Sequence, residues 1–108
     1  MAFEDFVFSV RWWDLRGSSA EDAVERRRVE DELIREVAPG HPVHGQHPAA
    51  VASCTHCDDC LFMIDGNRFA VVHLSWPEQG PDRPPWPDTD VCDNWEAVEA
   101  YLSKHDDW

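Results

Sequence analysis

Cys60-Leu61-Phe62-Met63-Ile64-Asp65-Gly66-Asn67-Arg68-Phe69-Ala70-Val71-Val72-His73-Leu74-Ser75-Trp76 is the stretch that decides the fold. Two apolar runs meet at Asp65-Gly66-Asn67, and an Asp-Gly pair between apolar runs is a strong hairpin signal. Cys60 to Asp65 is therefore a strand, and Arg68 to Trp76 is the longest and most apolar one. Upstream, Ala49 to Cys54 makes a short strand, with residues 55–59 as the loop of a second hairpin. Further out, Phe3 to Trp13 alternates, with Phe6, Phe8, Val10 and Trp12 on one side and Ser9 and Arg11 on the other. That pattern predicts a half-buried strand.

Two helices complete the pattern. Ser18-Ser19-Ala20-Glu21 reads as a capping box, opening a helix that runs to about Ala38 and turns Ala23, Leu33, Ile34 and Val37 toward the core. Pro39-Gly40 ends it. Asp93 as N-cap with Glu96 three residues on opens a last helix with Trp95, Val98, Tyr101 and Leu102 as its apolar stripe. Pro77 to Pro87 holds five prolines and is a loop. The element order is β-α-β-β-β-α, an α+β fold in which an antiparallel sheet carries two helices on one face. Its 108 residues suffice for a single domain spanning 1–108.

Charge excludes several functions. Asp and Glu number 22 against nine Lys and Arg, giving a net charge of −13. Such a surface repels phosphate backbones and anionic membranes, so neither nucleic acid nor a membrane is an expected partner. A basic protein would be attracted. Arg26-Arg27-Arg28 does not change this, since Asp22, Asp31 and Glu32 each lie four residues from one of the three. No run approaches the roughly 20 apolar residues of a membrane span. The start, Met1-Ala2-Phe3-Glu4-Asp5, lacks a secretory pattern, which makes the cytoplasm the expected location.

From Gly40 onward the chain resembles a group of small uncharacterised bacterial proteins. Gly40-His41-Pro42-Val43-His44-Gly45, Asp58-Asp59-Cys60-Leu61-Phe62, Ala70-Val71-Val72-His73-Leu74-Ser75-Trp76 and Pro85-Trp86-Pro87 carry the likeness. The resemblance implies a compact fold and no particular reaction.

Chemistry concentrates in Cys54-Thr55-His56-Cys57-Asp58-Asp59-Cys60. Two overlapping CxxC steps suit a soft metal such as zinc, with Cys92 or one of His41, His44, His47 and His56 as fourth ligand. An iron–sulfur cluster would use the same thiolates but wants a fourth Cys soon after, followed by Pro, whereas Leu61 to Ile64 follow here. The structural alternative sets Cys54 opposite Cys60 at the base of the hairpin, as free thiols or a disulfide. No G-x-S-x-G, phosphate loop or H-E-x-x-H is present, so an enzyme is not expected.

Six tryptophans are many for so small a core. Trp12 and Trp13 face opposite sides of a strand, so at least one lies outside the helix-covered core. Trp86 sits in the rigid Pro84-Pro85-Trp86-Pro87. The expected role is a small acidic protein-binding domain, with a toxin-neutralising, immunity-like inhibitor as one concrete version. Its uncovered sheet face, Trp13 and Trp86, ringed by Asp58, Asp59, Asp82, Asp88 and Asp90, would meet a basic partner. The alternative is a metal or redox module built on Cys54, Cys57, Cys60 and Cys92.

Overall fold

The Gly66-Asn67 turn joins strand β3 (Asp59–Asp65) to strand β4 (Arg68–His73), pairing Leu61 with Val71 and Phe62 with Ala70. The computed structural model describes residues 2–106, so Trp108 lies outside the described residues. Around this hairpin the chain winds a five-stranded antiparallel sheet in sequential order. Strand β1 is Trp12–Asp14 and β2 is Ala49–Cys54; β5, Asp88–Cys92, forms the far edge. Helix α1 (Ala20–Glu36) lies between β1 and β2, and helix α2 (Trp95–His105) follows β5. The fold is α+β as its sequence predicts. No helix among the described residues is long and apolar enough to cross a membrane.

The helices do not share a face. Cys60, Phe62, Ile64, Ala70 and Val72 pack with Val29 and Leu33 of α1, while Leu61, Phe69 and Val71 pack with Trp95, Val98 and Leu102 of α2. Successive strand residues point to opposite faces, and both Leu61 and Phe62 have no exposed surface. Both faces of the hairpin therefore demand cover, so the expected arrangement of two helices on one face is corrected to one on each. The uncovered sheet face proposed for docking disappears with it.

Cover on the α2 side comes partly from the N-terminal segment. Phe3–Asp5 forms a 3-10 turn rather than strand, and Val10 is exposed. Phe3, Phe6 and Phe69 surround Trp95 with ring centroids 5.0, 5.2 and 5.3 Å away. Arg16 holds this flap down by donating to the Phe3 and Phe6 carbonyls, each at 2.6 Å. The aromatic alternation read as a strand is thus recruited into packing around one indole. Both helices start one residue later than the caps predict. Ser19 accepts from the Asp22 amide and Asn94 from the Ala97 amide, the usual N-cap bond to the third helical residue. Within α1, Leu33 is buried, but Ile34 is turned out to solvent. Arg28 pairs back to Glu25, and Arg35 to Glu32.

The end of α1 is fastened by a buried carboxyl. Glu36 has no exposed surface and accepts from the Ser75 and Trp76 amides, each at 2.9 Å, and from the Ser75 hydroxyl at 3.1 Å. Burial, followed by a hydrogen bond to Glu32, pushes it up to about 7 from an ordinary 4.5. Across that window the folded protein keeps a proton that the unfolded chain has released. The contribution is full below pH 4.5 and lost as pH rises through 7. Urea unfolding of the wild type from pH 4.5 to 8 should lose on the order of 1–3 kcal/mol through this group. Glu36→Gln, though less stable at its best, should flatten that slope; parallel wild-type and variant profiles would remove Glu36 from the account.

Candidate metal centre

The sequence-predicted cysteines fall into three places. The pairing of β2 with β3 shifts between Ala50 and Ala52, a bulge that reverses the alternation. Ser53, not Cys54, ends up opposite Cys60. Ser53 donates to Glu25 on the α1 side, whereas Cys54 joins the α2 side with Trp12, its partner on β1. Cys60 stays in the α1 core, where burial pushes its thiol up. Cys92 faces α2 but pairs with Phe69, whereas β4 pairs at its other end, through His73, with Asp59. Four residues of strand, about 13 Å, separate those two levels. The expected set of Cys54, Cys57, Cys60 and Cys92 is therefore split by the sheet and cannot hold one ion.

What the fold assembles instead is Cys54, Cys57 and His105. Their donor atoms all lie within 4.8 Å of one another. Cys54 closes β2, Cys57 rides the loop into β3, and His105 ends α2. The Cys57 sulfur stands 3.7 Å from His105 Nε2. Zinc–sulfur and zinc–nitrogen bonds of about 2.3 and 2.0–2.1 Å at a tetrahedral angle place those two atoms about 3.6 Å apart.

The imidazole is fixed from every side. Its ring lies 4.9 Å from that of Trp12. Nδ1 faces Asp106 Oδ1 at 2.9 Å, and Nε2 faces Asp59 Oδ2 at 3.2 Å. Asp106 is itself held by the Trp12 indole N–H at 3.0 Å and the Ser9 hydroxyl at 2.7 Å. Burial raises the Asp106 carboxyl, but bonds from His105, Ser9 and Trp12 outweigh it and hold the group low. A carboxylate gripping the far ring nitrogen is the usual outer support of a metal-bound histidine. Burial, then a hydrogen bond with Cys54, pushes the Cys57 thiol up to about 12, partly offset by the Asp59 amide donating to its sulfur.

His105 is absent from the sequence-level candidates, although the stripe Val98–Leu102 continued by one turn arrives at it. The predicted histidines lie elsewhere. His41 is buried, with Nδ1 accepting from the Val43 amide and Nε2 directed at the Pro87 carbonyl at 2.9 Å. His44, His47 and His56 are exposed. The predicted docking residues scatter. Trp86 is 57% exposed and Trp13 38%, the latter donating to Asp22. Asp58, Asp88 and Asp90 are exposed. Asp82 instead pins the loop, bonded to Ser75 and, through its amide, to the Glu36 carbonyl. Asp59 is taken up by His73 and His105.

Comparison with protein families, curated proteins and solved structures finds no match for this chain. The chemistry of the centre is therefore read from its own side chains. A direct consequence separates the four cysteines. Cys57→Ser should abolish stoichiometric zinc binding, while Cys60→Ala and Cys92→Ala leave it at the wild-type level. Loss of zinc in Cys60→Ala with its fold intact by circular dichroism would contradict this assignment.

Proposed function

We propose that this chain is a small domain that binds a divalent transition-metal ion through Cys54, Cys57 and His105, joining the end of α2 to the β2–β3 loop. The observation that carries the proposal is the convergence of three soft or borderline donors within 4.8 Å. Two thiolates with an imidazole select against calcium and magnesium, which want many oxygens. They fall short of the four thiolates of an ordinary iron–sulfur cluster. Protein purified without added metal, equilibrated with zinc and freed of excess, should carry about one equivalent. Zinc at a hundredfold over its Kd should add about 3 kcal/mol to the unfolding free energy, reversed by a chelator. Less than about a tenth of an equivalent, with no stabilisation, removes the proposal.

A second reading rests on a different observation, the exposure of Trp86 (57%) in its proline-bounded segment, beside the exposed Asp88 and Asp90 of edge strand β5. With a net charge of −13, it makes the chain an acidic docking domain for a basic protein, a toxin-neutralising inhibitor being one form. Capture from native lysate at low salt should then recover one stoichiometric basic protein. Trp86→Ala should weaken that capture about thirtyfold, the loss of one 2 kcal/mol anchor. Recovery of nothing, or equal recovery by the variant, eliminates this reading.

A further inference from the structure

We propose that Asp59 is the fourth ligand, and that the centre is a closed, four-coordinate zinc site of two cysteines, one histidine and one aspartate. The inference rests on the metal-binding reading above and names what that reading leaves open. It starts from one distance. Asp59 Oδ2 lies 3.2 Å from His105 Nε2. Zinc–oxygen and zinc–nitrogen bonds of about 2.0–2.2 Å at a tetrahedral angle put two such donors about 3.4 Å apart. The carboxylate and imidazole already share the separation of two ligands on one ion.

The surroundings agree with that role. Asp59 begins β3, and its amide donates to the Cys57 sulfur, so its backbone belongs to the knuckle that positions a thiolate. Its other oxygen, Oδ1, is held by His73 Nδ1 at 2.8 Å. Among the described residues Oδ2 faces the imidazole, while the carboxylate as a whole is kept in place from behind. Asp59 and His105 are only 15% and 7% exposed at their side chains, so each comes partly desolvated with an outer partner, as metal ligands do. The Asp59 carboxylate is not among the donors that lie within 4.8 Å of one another. Binding requires it to turn from the imidazole edge toward the sulfurs.

Other fourth ligands fit less well. Asp58 and His56 point to solvent, and Cys60 is on the other side of the sheet. Two thiolates and a carboxylate balance a dication to one net negative charge, and an oxygen donor alongside the sulfurs favours zinc over a copper(I) ion, which prefers soft ligands alone.

Zinc affinity, measured by chelator competition, and cobalt(II) absorption of the substituted protein test this together. Asp59→Asn should weaken zinc binding by at least about tenfold and change the cobalt ligand-field bands, while Asp58→Asn should do neither. Asp59→His should restore affinity by offering a nitrogen, with a cobalt spectrum shifted from wild type. Wild-type binding with Asp59→Asn equal in affinity and spectrum overturns the fourth ligand and leaves the three-donor site standing. Failure of the wild type to bind zinc removes both. Should Asp59→Asn not fold, the Asp59→His spectrum decides: a shift supports the ligand, and identity with wild type overturns it.

Discussion

Leu61 and Phe62 are neighbours in one strand, so their side chains leave it in opposite directions, and neither retains any contact with water. Each such burial is worth about 1.5–3 kcal/mol, provided that something lies on top. A single layer of helices satisfies only one of the pair. The chain meets the demand with α1 over Phe62 and α2 over Leu61. Because α2 alone is narrow, Phe3, Phe6 and Phe8 are drawn off the N-terminal segment to extend the cover around Trp95. Placing α2 on its own face brings the helix end beside the β2–β3 loop, where His105 meets Cys54 and Cys57.

Side-chain parity then decides which cysteines can cooperate. Strict alternation from Ala50, which faces α1, would carry Ala52 and Cys54 to the same side and set Cys54 near Cys60. The bulge between Ala50 and Ala52 inserts one residue into the count. A one-residue slip exchanges the two faces, so Cys54 crosses to the α2 side, where its neighbours include an imidazole. The candidate metal-site residues are thus distributed by backbone register. The CxxCxxC spacing, attractive as a linear motif, is cut at its last member.

These particulars mark what the sequence could and could not tell. The Asp65-Gly66-Asn67 turn, both helices and the α+β class are local properties, legible from turn chemistry, caps and periodicity. The two-sided burial was also written there, because Leu61 to Ile64 and Phe69 to Val72 run apolar without alternating, the mark of strands covered twice. Strand β5 escaped because Asp88-Thr89-Asp90 is polar, as an exposed edge tends to be. Caps slipped by one residue where two adjacent side chains, Ser18-Ser19 and Asp93-Asn94, can serve equally. The bulge lies in Ala49-Ala50-Val51-Ala52, whose small, similar residues carry no register signal. His105 belongs to no motif at all; only the packing of α2 against the loop gives it meaning.

The same packing indicates why an ion would matter to a chain of this size. Cys57 and His105 are 48 residues apart, and their proximity in the folded state comes with the packing of α2, through Val98 and Leu102, on its side of the sheet. A coordinate link across that interval restricts the unfolded chain much as a disulfide would, which on the chain-entropy account is worth about 4 kcal/mol for a loop of this length. That is a large share of the roughly 5–15 kcal/mol that small domains possess. It would act on a protein whose net charge of −13 pushes the compact state apart. Without a cation, burial holds the Cys57 thiol up and the grouped side chains merely pack. With one, Cys54 and Cys57 would release their protons and, together with His105, fix the last helix to the sheet.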